Sequence, residues 1–143
     1  MDGSFLYPAI SLGIFLSSGG GNSLILKNLD NGRVISQSVI VADHFFSRFK
    51  GLMFTRELSP EASMYFYPCS GIHTFFMNYN IDVLYLDIHN KILAVDEDMG
   101  PGKIGRVIKG AVAVVELPSG RVGETGTKIG QTLGFVKGKE EIV

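Results

Sequence analysis

The chain has one cysteine, no tryptophan and no block of like charge, and each of these shortages narrows what it can be. With Cys69 alone, an intramolecular disulfide is impossible. Lys and Arg total 13 against 14 Asp and Glu, so the net charge is −1, and the cations are not clustered. A nucleic-acid surface needs clustered Lys and Arg to displace counterions, so no nucleic-acid partner is expected.

The first 23 residues carry an apolar run that is interrupted by Pro8 and Gly13. It is too short for a membrane span, which needs about 20 apolar residues. The run resembles the core of a signal peptide, but Asp2 stands where such a peptide has positive charge. We interpret residues 1–23 as a prefix outside the core, with an export or anchor segment and an added strand as alternatives. The compact domain is then 24–143, and a cytoplasmic location is expected unless the prefix is a signal.

What the chain has in quantity is apolar residues and glycine. Apolar residues make up 45% of the 143 residues, which is enough for one core, and ten phenylalanines supply large side chains. Eighteen glycines provide many tight turns, a pattern more typical of a β-rich fold than of a helix bundle. Length and composition therefore predict one domain that is rich in β-structure.

Turn signals and side-chain alternation divide this domain into short strands. The pair Asn31-Gly32 predicts a hairpin turn, because both residues tolerate positive φ. In ADHFFSRFKGLMF the apolar spacing becomes helical, which predicts a short helix over 43–50. Further strands are predicted at MYFYP, 72–77, 81–87, KILAVDE, AVAVVELP and TLGFVK, with DMGPGKIGR as a glycine-rich loop and AVAVVELP buried on both faces. The prediction is a single α+β domain, mainly β with about eight strands and one short helix, arranged as a β-barrel or a sandwich.

Residues that bind metals or act as nucleophiles are few and scattered. Cys69 and His73 are four apart, whereas His44 and His89 lie elsewhere, so the close ligand pairs of a zinc site are missing and no metal is expected. A thiolate pair of Cys69 with His73 is an alternative, but packing as a small hydrophobic residue is the simpler explanation for Cys69. The loop GPGKIG has neither the Walker spacing nor the dinucleotide-binding spacing, so no cofactor is expected.

The densest mixture of polar and apolar residues is GIHTFFMNYNIDVLYLD, residues 71–87. As two strands and a turn, it places His73 on one face with Phe75 and Met77, and it places Asp82 just after the turn. Polar groups set into an apolar surface are typical of a ligand site. The candidate ligand-binding residues are Met53, His73, Thr74, Met77 and Asp82. The alternative is structural: His73 packs at the rim of the core, and the Asp82 carboxylate accepts hydrogen bonds from turn N–H groups or nearby side chains.

Several motifs, taken in order, resemble the DUF192 family, also called UPF0127. Over about residues 42–135 the matching motifs are SRFKGLMF, MYFYP, IHTFFMNYNIDVLYLD, VVELPSG and TGTKIGQTL. Two positions depart from the family pattern: Asn80 stands where a proline is usual, and Gly102 follows Pro101 where a tryptophan is frequent. The resemblance implies a compact, mostly β fold with a short helix, and no established activity. The motif residues found in this chain are Gly51, Leu52, Met53, His73, Thr74, Phe75, Met77, Asp82, Asp87, Glu116 and Pro118.

Three hypotheses for function follow from these residues. The favoured one is a non-catalytic module that binds a small ligand or a protein in a groove near the H-T-F-F-M and I-D-V motifs. The alternative is a small enzyme that uses His73 and Asp82 as an acid–base pair, which requires the two side chains within about 3 Å or joined through one water. The third is an architectural or assembly role, for which a homodimer is one form.

Overall fold

The computed structural model describes residues 6–7, 24–42 and 58–138, which form two packed β-sheets. The elements are β1 (Leu6–Tyr7), β2 (Leu24–Asn28), β3 (Val34–Ser36), β4 (Ser38–Ala42), β5 (Ala62–Phe66), β6 (Ile81–Leu86), β7 (Ile92–Met99), β8 (Ala113–Pro118), α1 (Arg121–Thr125) and β9 (Leu133–Lys137). One sheet has the order β1-β9-β2-β3, and the other has the order β4-β5-β8-β6-β7. Strands β4 and β5 are parallel, whereas β6 is antiparallel to both β7 and β8. The prediction of a mainly β, single-domain fold is confirmed in its sandwich form, since the described strands close no barrel.

The first sheet is built around the predicted hairpin. Strands β2 and β3 pair antiparallel, and Gly32 between them has a φ of 74°. The Asn28 side chain accepts a hydrogen bond from the Asp30 amide at 3.0 Å, which tightens the connection. The hairpin prediction at Asn31-Gly32 is therefore confirmed, with a connection longer than two residues. Strand β9 lies on the other side of β2, and β1 pairs with β9 through Leu6 and Tyr7.

Two cores lie on opposite faces of the five-stranded sheet. The inner core lies between the sheets and joins Leu84 and Val115 to residues such as Leu26 and Phe135 of the other sheet. The outer core covers the opposite face and includes Val83, Tyr85, Val114 and Met77. Because β6 and β8 are central strands, both faces of each are covered, and residues 81–86 and 113–117 are all buried. This confirms the predicted burial of AVAVVELP on both faces.

The structure differs from the predicted secondary structure at residues 72–77. The strand predicted over 72–77 is wrong: residues 75–76 form a turn, Phe76 has a φ of 62°, and only an isolated bridge joins His73 to Ile104. The helix predicted over 43–50 lies outside the described residues. The short helix α1 lies in the segment RVGETGTKIGQ. In the described ranges, no helix has the length and apolar character needed to cross a membrane.

Candidate functional site

Two neighbouring segments occupy the place of the predicted strand. The Thr74 amide donates to the Lys103 carbonyl at 2.8 Å, and the Gly105 amide donates to the Ile72 carbonyl at 2.8 Å. The buried Thr74 hydroxyl reinforces this pairing, because it donates to the Gly100 carbonyl at 2.7 Å and accepts from the Lys103 amide at 2.8 Å. The H-T-F-F segment and the glycine-rich loop are therefore fixed to each other by a threonine that is itself out of solvent.

Gly105 lies where the loop packs closely against both the 72–74 segment and the five-stranded sheet, so there is little room for a side chain at this position. A Cβ at Gly105 would lie 2.9 Å from Ile72 Cγ1, closer than Cβ atoms approach other carbons, and 3.1 Å from the Tyr85 hydroxyl oxygen, so these neighbours would have to shift. The loop backbone thus approaches both the neighbouring segment and the outer face of β6.

The paired segments expose four large apolar side chains. Phe75 is 41% exposed, Phe76 64%, Ile104 77% and Val107 80%. We call residues 72–76 and 103–107 the loop platform. Single exposed apolar side chains are ordinary on a protein surface, but a group fixed on one hydrogen-bonded support is typical of an interaction site.

An open cleft of about 360 Å³ lies beside the loop platform. One wall is the C-terminal half of β7, which is the outermost strand of its sheet, and the other wall is the returning loop. We call this the edge cleft; its lining residues are Val95, Asp96, Glu97, Met99, Lys103, Ile104, Gly105 and Arg106. Its volume lies within the range of ligand pockets, about 300–1,000 Å³.

A charged cluster forms part of the lining of the edge cleft. Arg106 Nη2 donates to Asp96 Oδ1 at 2.7 Å, and the Tyr85 hydroxyl donates to Asp96 Oδ2 at 2.8 Å. Burial, followed by the hydrogen bond to Asp96, raises the pKa of Tyr85, and the same carboxylate raises the pKa of Arg106. At neutral pH the tyrosine is therefore neutral and the arginine charged. Both oxygens of Asp96 are engaged, so the cluster stabilises the loop and offers no free base.

The candidate residues around the loop platform have different positions. His73 is partly exposed, its Nδ1 accepts a hydrogen bond from the Phe75 amide at 3.2 Å, and its ring stacks on Phe75 with centroids 5.1 Å apart. Thr74 is buried beneath this surface, and Met77 turns into the outer core. Met53 lies outside the described residues. The structure thus brings His73 and Thr74 together and places Met77 as their support.

Asp82 lies on the opposite face of the sheet from the loop platform. In β6 it shares the inner face with Leu84 and Leu86, whereas the platform adjoins the outer face. Its carboxylate accepts hydrogen bonds from the Val122 amide in the first turn of α1 and from the Asp98 amide, both at 2.9 Å. The expectation that backbone amides satisfy this carboxylate is met.

The His73–Asp82 acid–base pair is therefore not formed. Each side chain has its own backbone partner, and a sheet separates them. The thiol of Cys69 donates to the Gly71 carbonyl at 3.0 Å, at a second cleft of about 310 Å³ beside Pro68. Among the described residues, no three His, Cys, Asp or Glu side chains are grouped as metal ligands.

The side chain of Asn80, one of the two departures from the family pattern, also has a structural partner. Its amide donates to Asp98 Oδ1 at 2.9 Å, and the Ser119 hydroxyl donates to the same oxygen at 2.7 Å. These hydrogen bonds, from Ser119 first, lower the pKa of Asp98. Because Asp98 has a φ of 53°, the contacts hold an unusual backbone conformation at the end of β7.

Glu116 is a buried carboxyl that the sequence pattern did not single out as a site. It lies in β8 between Met64 of β5 and Val83 of β6, and it is 5% exposed. Its Oε2 has no hydrogen-bond partner among the described residues, and burial raises the pKa of the side chain to about 8. The carboxyl is consequently neutral at pH 7, since an apolar environment penalises its charged form. An acid inside the apolar run AVAVVELP was the available signal.

The sequence pattern also did not identify the second segment of the loop platform, residues 103–107, as part of a site. The sequence predicts DMGPGKIGR as a glycine-rich loop, and in the structure Ile104 and Arg106 contribute an exposed apolar group and an ion pair there. The signal was apolar residues, Ile104 and the pair Val107-Ile108, set between cations in a glycine-rich stretch. Their position next to His73 depends on pairing between residues about 30 apart, which no local pattern predicts.

Comparison with known proteins places this geometry in a family. The family model DUF192, described as "Uncharacterized ACR", matches residues 26–135. A UPF0127 protein from Thermococcus sibiricus is 31% identical over 114 residues, which is 76% of this chain and 73% of the relative.

Two solved structures have a similar fold. A protein of unknown function from Novosphingobium aromaticivorans has a TM-score of 0.67 at 20% identity, with 78% of this chain and 82% of that chain covered. A Sinorhizobium meliloti protein described as a "putative transcription regulator" has a TM-score of 0.69 at 23% identity, with 79% and 92% covered. At these identities the similarity establishes the fold alone.

Proposed function

We propose that this chain, which belongs to the DUF192 family, is a non-catalytic binding module whose binding surface is the loop platform together with the edge cleft. The family and its relatives are described without an activity, so the argument depends on the surface itself. The partner in this proposal is a protein or a small organic ligand with apolar groups.

One observation carries the proposal: four exposed apolar side chains stand on a support that is held rigid. Flexible loops lose conformational entropy on binding, whereas a prearranged surface loses little. Here Thr74 fixes the loop from below, and the Arg106–Asp96 ion pair fixes it from the side. Holding apolar side chains in solvent is unfavourable unless a partner covers them, at about 25 cal/mol per Å² of apolar surface.

The polar groups around the surface favour binding over catalysis. The Asp96 carboxylate is engaged by Arg106 and Tyr85, and the Asp82 carboxylate faces the other side of the sheet. Among the described residues His73 has no carboxylate partner, and its Nδ1 accepts from the Phe75 amide. An acid–base mechanism needs a proton-accepting group within hydrogen-bond reach of a substrate and a second group to orient it.

Two screens against the purified chain test the proposal: a displayed library of random peptides and a soluble library of apolar fragments. Ligands selected on the wild-type protein should bind the double variant Ile104→Ser/Val107→Ser at least about tenfold more weakly, because two apolar contacts are lost. Ile129→Ser is the matched control, since Ile129 is 62% exposed and lies between α1 and β9. Equal binding by the double variant and the wild type, or the absence of any ligand from both screens, would contradict the proposal.

A further inference from the structure

We propose that the edge cleft takes an extended acidic peptide segment of a partner protein as an added β-strand between β7 and the loop platform. This inference rests on the proposed function, because it names the partner of the same surface. The peptide in this inference forms backbone hydrogen bonds with the protein, which the proposed function alone does not require.

The first wall of the cleft is the C-terminal half of β7, which pairs with no further strand among the described residues. Strand β7 is the last strand in the order β4-β5-β8-β6-β7, so alternate N–H and C=O groups point away from the sheet. The Val95 carbonyl is one of these groups, since Arg106 Nη2 reaches it from the loop side at 3.2 Å. Val95, Glu97 and Met99 line the cleft along this edge.

The second wall is also an unpaired backbone edge. Hydrogen bonds from Thr74 to Lys103 and from Gly105 to Ile72 flank the bridge between His73 and Ile104. In that antiparallel pattern, the N–H and C=O of Ile104 point away from the 72–74 segment. Within the described residues, neither group of Ile104 has a hydrogen-bond partner. A strand in the cleft would meet backbone groups on both sides.

The charges of the cleft select an acidic strand. The stretch from Gly100 to Val115 contains Lys103, Arg106 and Lys109 and no carboxylate. On the facing wall Asp96 is paired with Arg106, and the Glu97 carboxylate lies beside Gly123 of α1. The Lys103 ammonium therefore remains without an ion-pair partner among the described residues, and a carboxylate of the peptide would complement it.

The dimensions match a short segment. Residues 95–99 of β7 span about 16 Å at about 3.3 Å per residue, the length of four to five residues of an extended peptide. Alternate side chains of such a strand would face the apolar groups of Ile104 and Met99, which line the cleft. Backbone hydrogen bonds then supply affinity, and the side chains supply selectivity.

Selection from a displayed library of random seven-residue peptides gives the first test. Wild-type protein should enrich peptides with an acidic residue among alternating apolar residues, and Lys103→Glu should change the preference at that position to a basic residue. Lys128→Glu makes the same charge change in the exposed turn before β9 and should leave the selection unchanged. Enrichment with no change of preference in Lys103→Glu would overturn the inference.

Synthetic versions of one enriched peptide separate strand addition from docking by side chains alone. The peptide is N-methylated either at its odd-numbered amides or at its even-numbered amides. One of these two forms should bind at least about tenfold more weakly than the unmodified peptide, because the N–H groups that donate to the edges of the cleft are lost. Hydrogen exchange of the Ile104 amide should slow when the unmodified peptide binds. If neither N-methylated form binds more weakly while Ile104→Ser/Val107→Ser still weakens binding, strand addition fails and the proposed function stands.

A vesicle control distinguishes a peptide partner from a lipid surface, which the same cations and apolar residues could attract. Vesicles of phosphatidylserine and phosphatidylcholine should not sediment the chain. Sedimentation that disappears in Lys103→Glu, together with no enriched peptide, would overturn the inference.

Discussion

Glu116 allows the sharpest prediction about stability. In the folded protein, burial disfavours the charged carboxylate and raises the pKa of Glu116 to about 8. In the unfolded chain the side chain has its ordinary pKa of 4.5, so it loses its proton at lower pH. Between these two values the folded state binds more protons than the unfolded state. The free energy of unfolding therefore falls as pH rises through this window, by about 1.4 kcal/mol per pH unit. Over pH 5 to 7 the contribution is a loss of about 3 kcal/mol.

Glu116→Gln should remove that loss, because the amide is neutral at every pH in the window. The two proteins should have similar stability at about pH 3.5, where Glu116 is largely protonated in both the folded and the unfolded state, apart from a constant difference in packing. By pH 7 the variant should have gained about 3 kcal/mol relative to the wild type. Urea unfolding followed by far-ultraviolet circular dichroism at pH 5, 6 and 7 measures the difference.

The comparison of slopes isolates Glu116, since other groups titrate alike in both proteins. Glu97→Gln is the control: Glu97 is exposed, and its substitution should leave the pH dependence of the wild type unchanged. Parallel stability profiles for the wild type and Glu116→Gln would show that the folded protein does not hold this carboxyl neutral, and the reasoning from burial would be refuted.

Two further substitutions test the support of the candidate site. Asp82→Ala should lower the free energy of unfolding by about 2–4 kcal/mol, because one buried and one partly buried backbone donor lose their acceptor; a loss below about 1 kcal/mol in urea unfolding would contradict this account. Gly105→Ala should cost about 1–3 kcal/mol, since its Cβ would lie 2.9 Å from Ile72, and should speed hydrogen exchange of the Thr74 amide; unchanged exchange would show that the crossing is not tight.

The parts of the fold that depend on local signals could be predicted from the sequence. Asn31-Gly32 specifies its hairpin through backbone preference, and the apolar run of β8 reports burial on both faces directly. The sequence also predicts that Asp82 needs hydrogen-bond donors, because burying a carboxylate without partners costs free energy. Each of these conclusions requires knowledge of only a few neighbouring residues.

The segment 72–77 could not be predicted in the same way. Its alternation of apolar residues resembles a strand, but the Thr74 hydroxyl binds the loop at Gly100 and Lys103, and this contact turns the chain. Phe75 and Phe76 consequently reach solvent instead of a core. The partner loop lies about 30 residues away, so the outcome was decided by tertiary hydrogen bonds that no periodicity records.

Two motif residues of the family, Asp82 and Thr74, lie behind the proposed binding surface, whereas His73 and Phe75 belong to the loop platform itself. Asp82 binds the Asp98 amide, which fixes the positive-φ residue between Glu97 and Met99 of the cleft wall. Thr74 likewise fixes the opposite wall from within. The exposed side chains that would contact a partner come from two segments, Phe75 and Phe76 before β6 and Ile104 and Val107 in the loop after β7. Such an arrangement lets a stable frame present different partner-contacting residues, because substitutions in an exposed loop cost little stability.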